Sequence, residues 1–338
     1  MRQLTLVEPK KVEWQEVAVP AIEDGRQALV RPIAVALCDA DQPAILGESP
    51  AAFPVALGHE FAAEVAEVGE DVVTVSVGDR VIVPFQISCG HCVRCGRGQT
   101  GDCVTVDRLS MYGFGGLGGP WGGALSDLVR VPFADAMLLR LPKGVEPASV
   151  ASASDNIPDG WRTVAEPLAR RPQAEVLIIG GGTPSIALYA VQAALLHGAS
   201  RVVYADTDAG RLAKAQEIGA EPLEGIPRRT GPFPITVDGS ASREGFATAL
   251  RSTEPGGICT HTGILYEPET PLPVLEMYNN GLELHIGRAQ ARATIPMVLE
   301  SVAAGDLHPE RVTSSTASWD DAAEAVFERQ TKLVITRA

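Results

Sequence analysis

The chain has 338 residues, a length at which a single core stops growing, so two domains are expected. Hydrophobic residues make up 45% and charged residues 21%, with 34 Gly and 25 Pro, a composition that argues against disorder and calls for many turns. A net charge of -14 without a Lys/Arg cluster excludes phosphate backbones and anionic lipid as partners, and no apolar run reaches membrane-spanning length, so the expected location is cytoplasmic.

Residues 1–150 carry the β-branched runs ALVRPIAVAL, FAAEVAEVG and DRVIVPF, broken by Gly and Pro at short intervals, which predicts an irregular β-rich domain. Inside it, Cys89, Cys92, Cys95 and Cys103 lie in CGHCVRCGRGQTGDC. Their C-x2-C-x2-C-x7-C spacing on a Gly-rich loop can wrap four thiolates tetrahedrally around one zinc, a closed structural site spanning 89–103. Cys38 and His59 stand outside that lobe and are available for a second metal; a lone Cys or His would as readily be packing.

From 151 to 287 the texture changes to VLIIG, IALYAVQAALLHG, RVVYAD and RLAKAQEIGAE, strand and helix in alternation, which predicts a doubly wound parallel sheet. Gly180, Gly181, Gly182, Thr183, Pro184 and Ser185 follow the first buried strand and lead straight into a helix. Glycines there let the backbone approach a pyrophosphate at the positive end of the helix, and Pro184 is tolerated in a first helical turn. Ser185 stands where a third glycine is usual. The second strand ends at Asp206, whose carboxylate can accept hydrogen bonds from both ribose hydroxyls and repels a 2′-phosphate, so NAD is favoured over NADP. Arg211 complicates that choice, because its guanidinium can reach the ribose or tolerate a phosphate. Residues 288–338 leave the alternation and end in the apolar strand KLVITRA, which is expected to return to the first domain.

Read in order, LCDAD, ALGHEFAAEVAEVGEDV, VGDRVIVPF, the cysteine lobe, VLIIGGG and RLAKAQEIGA resemble the zinc-containing medium-chain alcohol dehydrogenases across essentially the whole chain. The resemblance implies an α/β protein with a GroES-like catalytic domain and a Rossmann domain, and two zinc ions per chain. It assigns the catalytic zinc to Cys38, His59 and Asp155, with Glu60 as a carboxylate able to approach the metal and Asp41 orienting the imidazole of His59. Phe85 matches a position lining the substrate channel, with Ile157 and Trp161 as further candidates. YGFGGLGGPWGGALSDLVRVPFADAMLLRLP and ASASDNIPDG look most like the glutathione-independent formaldehyde dehydrogenases and relatives with an Asp zinc ligand. Homodimers or homotetramers are the implied assembly.

Three protein ligands leave a fourth position for an alcohol oxygen, and hydride then passes to the nicotinamide, so the expected activity interconverts a primary or secondary alcohol with its carbonyl. One departure stands out. The Ser/Thr and His of the family's proton relay are replaced by Ala40 and Pro43. Asp159, expected on one helical face with Asp155, is the candidate substitute acceptor. The rival readings are a reductase of conjugated C=C or C=N bonds and a non-enzymatic NAD(H)-binding protein.

Overall fold

A computed structural model describes residues 1–337 and divides them into two compact units. The first comprises Met1–Pro158, Gln290–Gly305 and the C-terminal run from Thr313; the second comprises Asp159–Ala289 and Asp306–Val312. The first unit thus extends to Pro158 rather than to about 150. Segment 151–155 is buried and bonded to its strands: Ser154 Oγ accepts from Phe61 N at 2.9 Å, and Ser152 Oγ donates to Glu60 at 3.0 Å.

In the first unit, β1 (Arg2–Glu8) pairs antiparallel with β2 (Lys11–Glu16) and with the short β4 (Val55–Ala56). A second sheet is built on β3 (Ala28–Ala36), which pairs with β5 (Glu60–Val68); β6 (Arg80–Val83), β7 (Val129–Val131) and β8 (Leu139–Arg140) extend it. β3 is apolar and mostly buried apart from the exposed Arg31, and Pro32, which cannot donate, coincides with a register shift between Pro32 and Ala34. Leu4, Leu6, Val35, Phe61, Val83, Tyr112 and Leu125 form its core, with Phe61 edge-on to Tyr112 at 5.8 Å.

The second unit holds a six-stranded all-parallel sheet among the described residues: β9 (Glu175–Ile179), β10 (Arg201–Asp206), β11 (Glu221–Glu224), β12 (Phe233–Asp238), β13 (Thr253–His261) and β14 (Glu283–Ile286). Their spatial order is β11-β10-β9-β12-β13-β14, so the chain reverses direction across the sheet between β9 and β12. After Glu175, β9 runs Val-Leu-Ile-Ile with all four buried, as a strand covered on both faces must be. β15 (Ser315–Ser318) and β16 (Leu333–Thr336) join the first unit's sheet through β16 and β3, while Asp306–Val312 belong to the second unit. No described helix is long and apolar enough to cross a membrane.

Helix α1 (Asn156–Arg170) carries the unit boundary, and its later turns pack on α2 (Pro184–Leu196) through Gly160. A Cβ on Gly160 would lie 2.8 Å from Ala190 N and from Ile186 O, backbone atoms that cannot rotate aside. Gly160→Ala gains about 1 kcal/mol of helix propensity but overpacks a rigid contact worth about 1–3 kcal/mol. A net loss of up to roughly 2 kcal/mol, read as a lower urea midpoint, is the expected outcome; greater stability refutes the close packing.

Candidate functional site

Cys38 follows the end of β3, His59 immediately precedes β5, and Asp155 is the last residue before α1. Chain segments far apart in sequence thereby bring one thiol, one imidazole and one carboxylate together with their ligand atoms all within 4.8 Å. Cys38 Sγ is 3.5 Å from Asp155 Oδ2, and His59 Nε2 is 3.4 Å from the same oxygen. On the other edge of the imidazole, Nδ1 is 3.4 Å from Asp41 Oδ1, while Asp41 Oδ2 accepts from Cys38 N at 3.0 Å. All of these side chains are buried.

Neither ring nitrogen of His59 closes a well-formed hydrogen bond, although both are sealed from solvent. Burial lowers the imidazole's affinity for a proton, but the carboxylates of Asp41 and Asp155 overcome it and raise the pKa to about 9. Burial, then Asp155 and Glu60, push the Cys38 thiol well above its ordinary value. Such a concentration of acidic groups around an under-bonded imidazole is costly without a cation to balance it. A divalent ion taking imidazole, thiolate and carboxylate together removes that cost, so the donor set fits zinc.

Glu60 does not join this set. It is directed to Lys332 Nζ at 2.7 Å, both side chains fully buried, and also accepts from Ser152 Oγ at 3.0 Å and Asn156 N at 2.8 Å. The structure places the carboxylate expected to approach a metal in a buried pair with Lys332. Burial raises its pKa to about 7, with Lys332 opposing the rise only in part. Lys332 also donates to Leu37 O at 2.7 Å, one residue before Cys38. Nothing in KLVITRA distinguished this lysine from a strand-end surface residue, although a wholly buried lysine implies a paired charge.

In the lobe, the four cysteine sulfurs also lie within 4.8 Å of one another. Cys92 N donates to Cys89 Sγ at 3.4 Å, Cys95 N to Cys92 Sγ at 3.5 Å and Cys89 N to Cys103 Sγ at 3.4 Å. Thr105 Oγ1 adds a donor to Cys89 Sγ at 3.2 Å. Backbone N–H groups of Cys95 and Val104 lower the Cys92 pKa to about 6, whereas burial pushes Cys95 to about 12. N–H groups aimed at sulfur favour thiolates, the form a metal takes.

The glycine turn sits at the carboxyl end of β9, beside the reversal of strand order. A Cβ on Gly180 would meet Tyr204 Oη at 2.3 Å and Asp206 Oδ2 at 2.4 Å, so glycine is required there. Gly182 N donates to Ser240 O at 2.8 Å, Thr183 Oγ1 donates to Gly239 O at 2.8 Å, and Pro184 opens α2. Asp206 is not the open acceptor that was expected. Arg211 Nε and Nη2 reach it at 2.8 and 2.6 Å, Tyr204 Oη at 2.8 Å and Asp208 N at 3.0 Å. These four donors use the lone-pair directions of a carboxylate. The reason is local: Arg211 lies in the first turn of α3 (Ala209–Ile218), which folds its guanidinium back over the strand end. Burial opposes ionisation of Asp206, but Arg211 prevails and holds its pKa below the ordinary value.

Phe85 and Phe114 flank His59, with ring centroids 5.6 and 4.7 Å from the imidazole. Phe114, in the Gly-rich YGFGG segment, is a wall residue that sequence reasoning missed. Ile157 is buried in the first unit, whereas Trp161 is edge-on to His197 at 4.6 Å within the second and is accounted for by that packing. Asp155, at φ -152 and ψ -74, precedes α1 rather than belonging to it, so the helical face expected to unite it with Asp159 does not form. Asp159 instead receives Arg162 Nε at 2.5 Å, and Arg162 Nη2 reaches Gly287 O at 2.6 Å. The substitute proton acceptor is thus a salt-bridged carboxylate.

The alcohol dehydrogenase GroES-like domain family model matches residues 24–143. Glutathione-independent formaldehyde dehydrogenase of Pseudomonas aeruginosa (strain LESB58) is 35% identical over 233 residues, 65% of this chain and 57% of that protein, so the chain spans little more than half the length of this relative. A Mycobacterium tuberculosis protein described as a probable zinc-binding alcohol dehydrogenase is 30% identical over 90% of this chain and 79% of its own length. Alcohol dehydrogenase TADH from Thermus sp. ATN1 superposes with a TM-score of 0.89 at 28% identity, covering 100% of both chains. With the GroES-like match, the parallel sheet and a relative matched over most of its length, the chain belongs to the zinc-containing medium-chain alcohol dehydrogenase family.

Proposed function

We propose that the protein is a zinc-dependent, NAD(H)-linked oxidoreductase interconverting a small primary or secondary alcohol and its aldehyde or ketone. The observation that carries this reading is the buried Cys38, His59 and Asp155 set with its under-bonded imidazole. Zinc held there supplies Lewis acidity to the substrate oxygen, and the dinucleotide supplies or accepts hydride. The chain's own part is positional. Asp41 takes one edge of His59 and leaves Nε2 facing Cys38 and Asp155, Lys332 neutralises Glu60, and Phe85 and Phe114 offer an apolar wall to the carbon skeleton. A second zinc in the cysteine lobe is structural on this reading.

For the dinucleotide, NAD remains the proposed coenzyme, with Asp206 acting through its charge and through Arg211 rather than as a vacant acceptor. Asp206 would have to exchange one of its donors for a ribose hydroxyl to contact the coenzyme directly. The engagement of Asp159 by Arg162 favours keeping the second reading alongside the first, because a reductase of conjugated C=C or C=N bonds does not need the alcohol relay that Ala40 and Pro43 lack. We further propose a homo-oligomer. Val274, Leu275 and Tyr278 on the helix Val274–Asn280 and Ile286 on β14, an edge strand of the parallel sheet, expose large apolar side chains, and a second copy covers them.

Purified protein should contain two zinc ions per chain and turn over NAD(H) with an alcohol and carbonyl panel; turnover confined to conjugated C=C or C=N substrates selects the second reading, and none on either panel refutes both. Asp155→Ala should lose one zinc and at least about 100-fold in kcat/KM while NADH binding is retained, since the metal loses its anionic ligand. A fully loaded, active variant would sink the ligand assignment. Cys95→Ser should lose the other zinc and lower the melting temperature, because structural zinc contributes folding free energy; unchanged melting with that zinc gone speaks against the role. Asp206→Ser frees Arg211 for a 2′-phosphate, a charge-assisted contact worth about tenfold or more, so kcat/KM for NADP relative to NAD should rise by that factor. A wild type already preferring NADP would overturn the coenzyme choice.

A further inference from the structure

The glycine turn does not hold itself in place. Gly182 N and Thr183 N donate to Ser240 O and Gly239 O at 2.8 and 2.9 Å, and Gly239 N donates back to Ile179 O at 2.8 Å. Gly181 and Gly182 lie so close to residues 240–241 that a Cβ on either would meet them at 2.9 and 2.7 Å. The position of the turn is therefore set by the segment after β12. That segment contains Ala241 at φ +49, a left-handed conformation unfavourable for a residue with a Cβ, so something must hold it.

Asp238, fully buried at the end of β12, does so. Its Oδ1 accepts from Ser240 N at 3.1 Å and Ser240 Oγ at 2.6 Å, and its Oδ2 is 2.6 Å from His261 Nδ1. His261 ends β13, is nearly fully buried and stacks on Phe246 of α4 (Arg243–Ser252), with ring centroids 4.2 Å apart and planes at 20°. Serine, aspartate and histidine are not in the order of a nucleophile relay, because the hydroxyl is given to the carboxylate and not to the imidazole. The geometry instead ties two adjacent strand ends to the turn on which a dinucleotide rests.

We propose that Asp238 and His261 form a positioning pair for dinucleotide binding, holding residues 239–242 at the height that lets the glycine turn approach a pyrophosphate. This rests on the dehydrogenase reading and is tested apart from it. His261→Leu removes both the stacked ring and the Nδ1 donor. His261→Asn also removes the ring but places an amide nitrogen where Nδ1 stands. NADH affinity is measured by fluorescence titration with zinc content and kcat followed in parallel.

His261→Leu should weaken NADH binding by about tenfold or more and His261→Asn by about threefold at most, the worth of a bond to a charged acceptor, with kcat at saturating NADH and both zinc ions retained. Equal weakening in the two variants would mean that only the stacked ring matters and would overturn the proposal, as would unchanged affinity in a folded His261→Leu. If His261→Leu is insoluble, Ser240→Ala, which removes only the hydroxyl, should weaken NADH by about threefold or more, and no change refutes the pair. A wild type binding neither NADH nor NADPH overturns the dehydrogenase reading and this one together; a wild type that binds, with unaffected variants, overturns the positioning pair alone.

Discussion

The interaction on which the first unit's chemistry depends is the buried contact between Lys332 and Glu60. Three carboxylates, Asp41, Glu60 and Asp155, converge with the Cys38 thiol around one imidazole. Lys332 is the ammonium among them, fully sealed from solvent. Taking each ion from water costs several kcal/mol, and only good geometry with further hydrogen bonds recovers it. Glu60 has that geometry through Ser152 and Asn156, and Lys332 has it through Leu37 O. Removing either partner would strand a charge beside the candidate ligands. The C-terminal strand β16 follows Lys332 directly and pairs with β3, so the chain's last residues complete a site that its first hundred begin.

Rigidity is distributed accordingly. Asp155 lies in a buried run whose serines are bonded to Phe61 and Glu60, so its carboxylate is presented by backbone held to β5 rather than by a loop. The second unit repeats the logic with different groups. There, a carboxylate at each of two strand ends, Asp206 and Asp238, is saturated by a cation or imidazole and by neighbouring donors, and between them lies the glycine turn. Saturated buried carboxylates position backbone, and reach a ligand only by giving up one of their donors. That is why the coenzyme contact expected of Asp206 cannot be read from its identity alone.

What was legible in the sequence was what depends on short range. The cysteine lobe is such a case, because four ligands within fifteen positions leave few geometries besides a closed tetrahedron, and the structure gathers the four sulfurs. Strand and helix alternation after residue 151 gave the parallel sheet for the same reason. Cys38, His59 and Asp155 came from the family resemblance, since nothing local says that positions so far apart will meet. Lys332 and Phe114 were missed because their partners lie far away in the chain, and a lysine before an apolar strand or a phenylalanine among glycines carries no local signal of burial. Asp159 was misread by a single step of helix phase. With α1 beginning at Asn156, Asp155 falls outside the helix, and the carboxylate four residues on finds a guanidinium three residues further along instead.

The use of a carboxylate as third candidate ligand has a consequence within the proposed function. Thiolate is soft and donates strongly, whereas carboxylate is harder and leaves more positive charge on the ion it holds. A zinc bound by one thiolate, one imidazole and one carboxylate would polarise a substrate oxygen more strongly than one bound by two thiolates. The surroundings act on that gain in opposite directions: the Asp41 carboxylate, 3.4 Å from Nδ1, would make His59 a stronger donor, whereas Lys332 keeps Glu60 from adding a further negative ligand. Strong polarisation matters most where proton removal has least help. Ala40 and Pro43 provide no transferable proton, and Asp159 is occupied by Arg162, so an electron-poor metal would carry more of the burden of acidifying the alcohol.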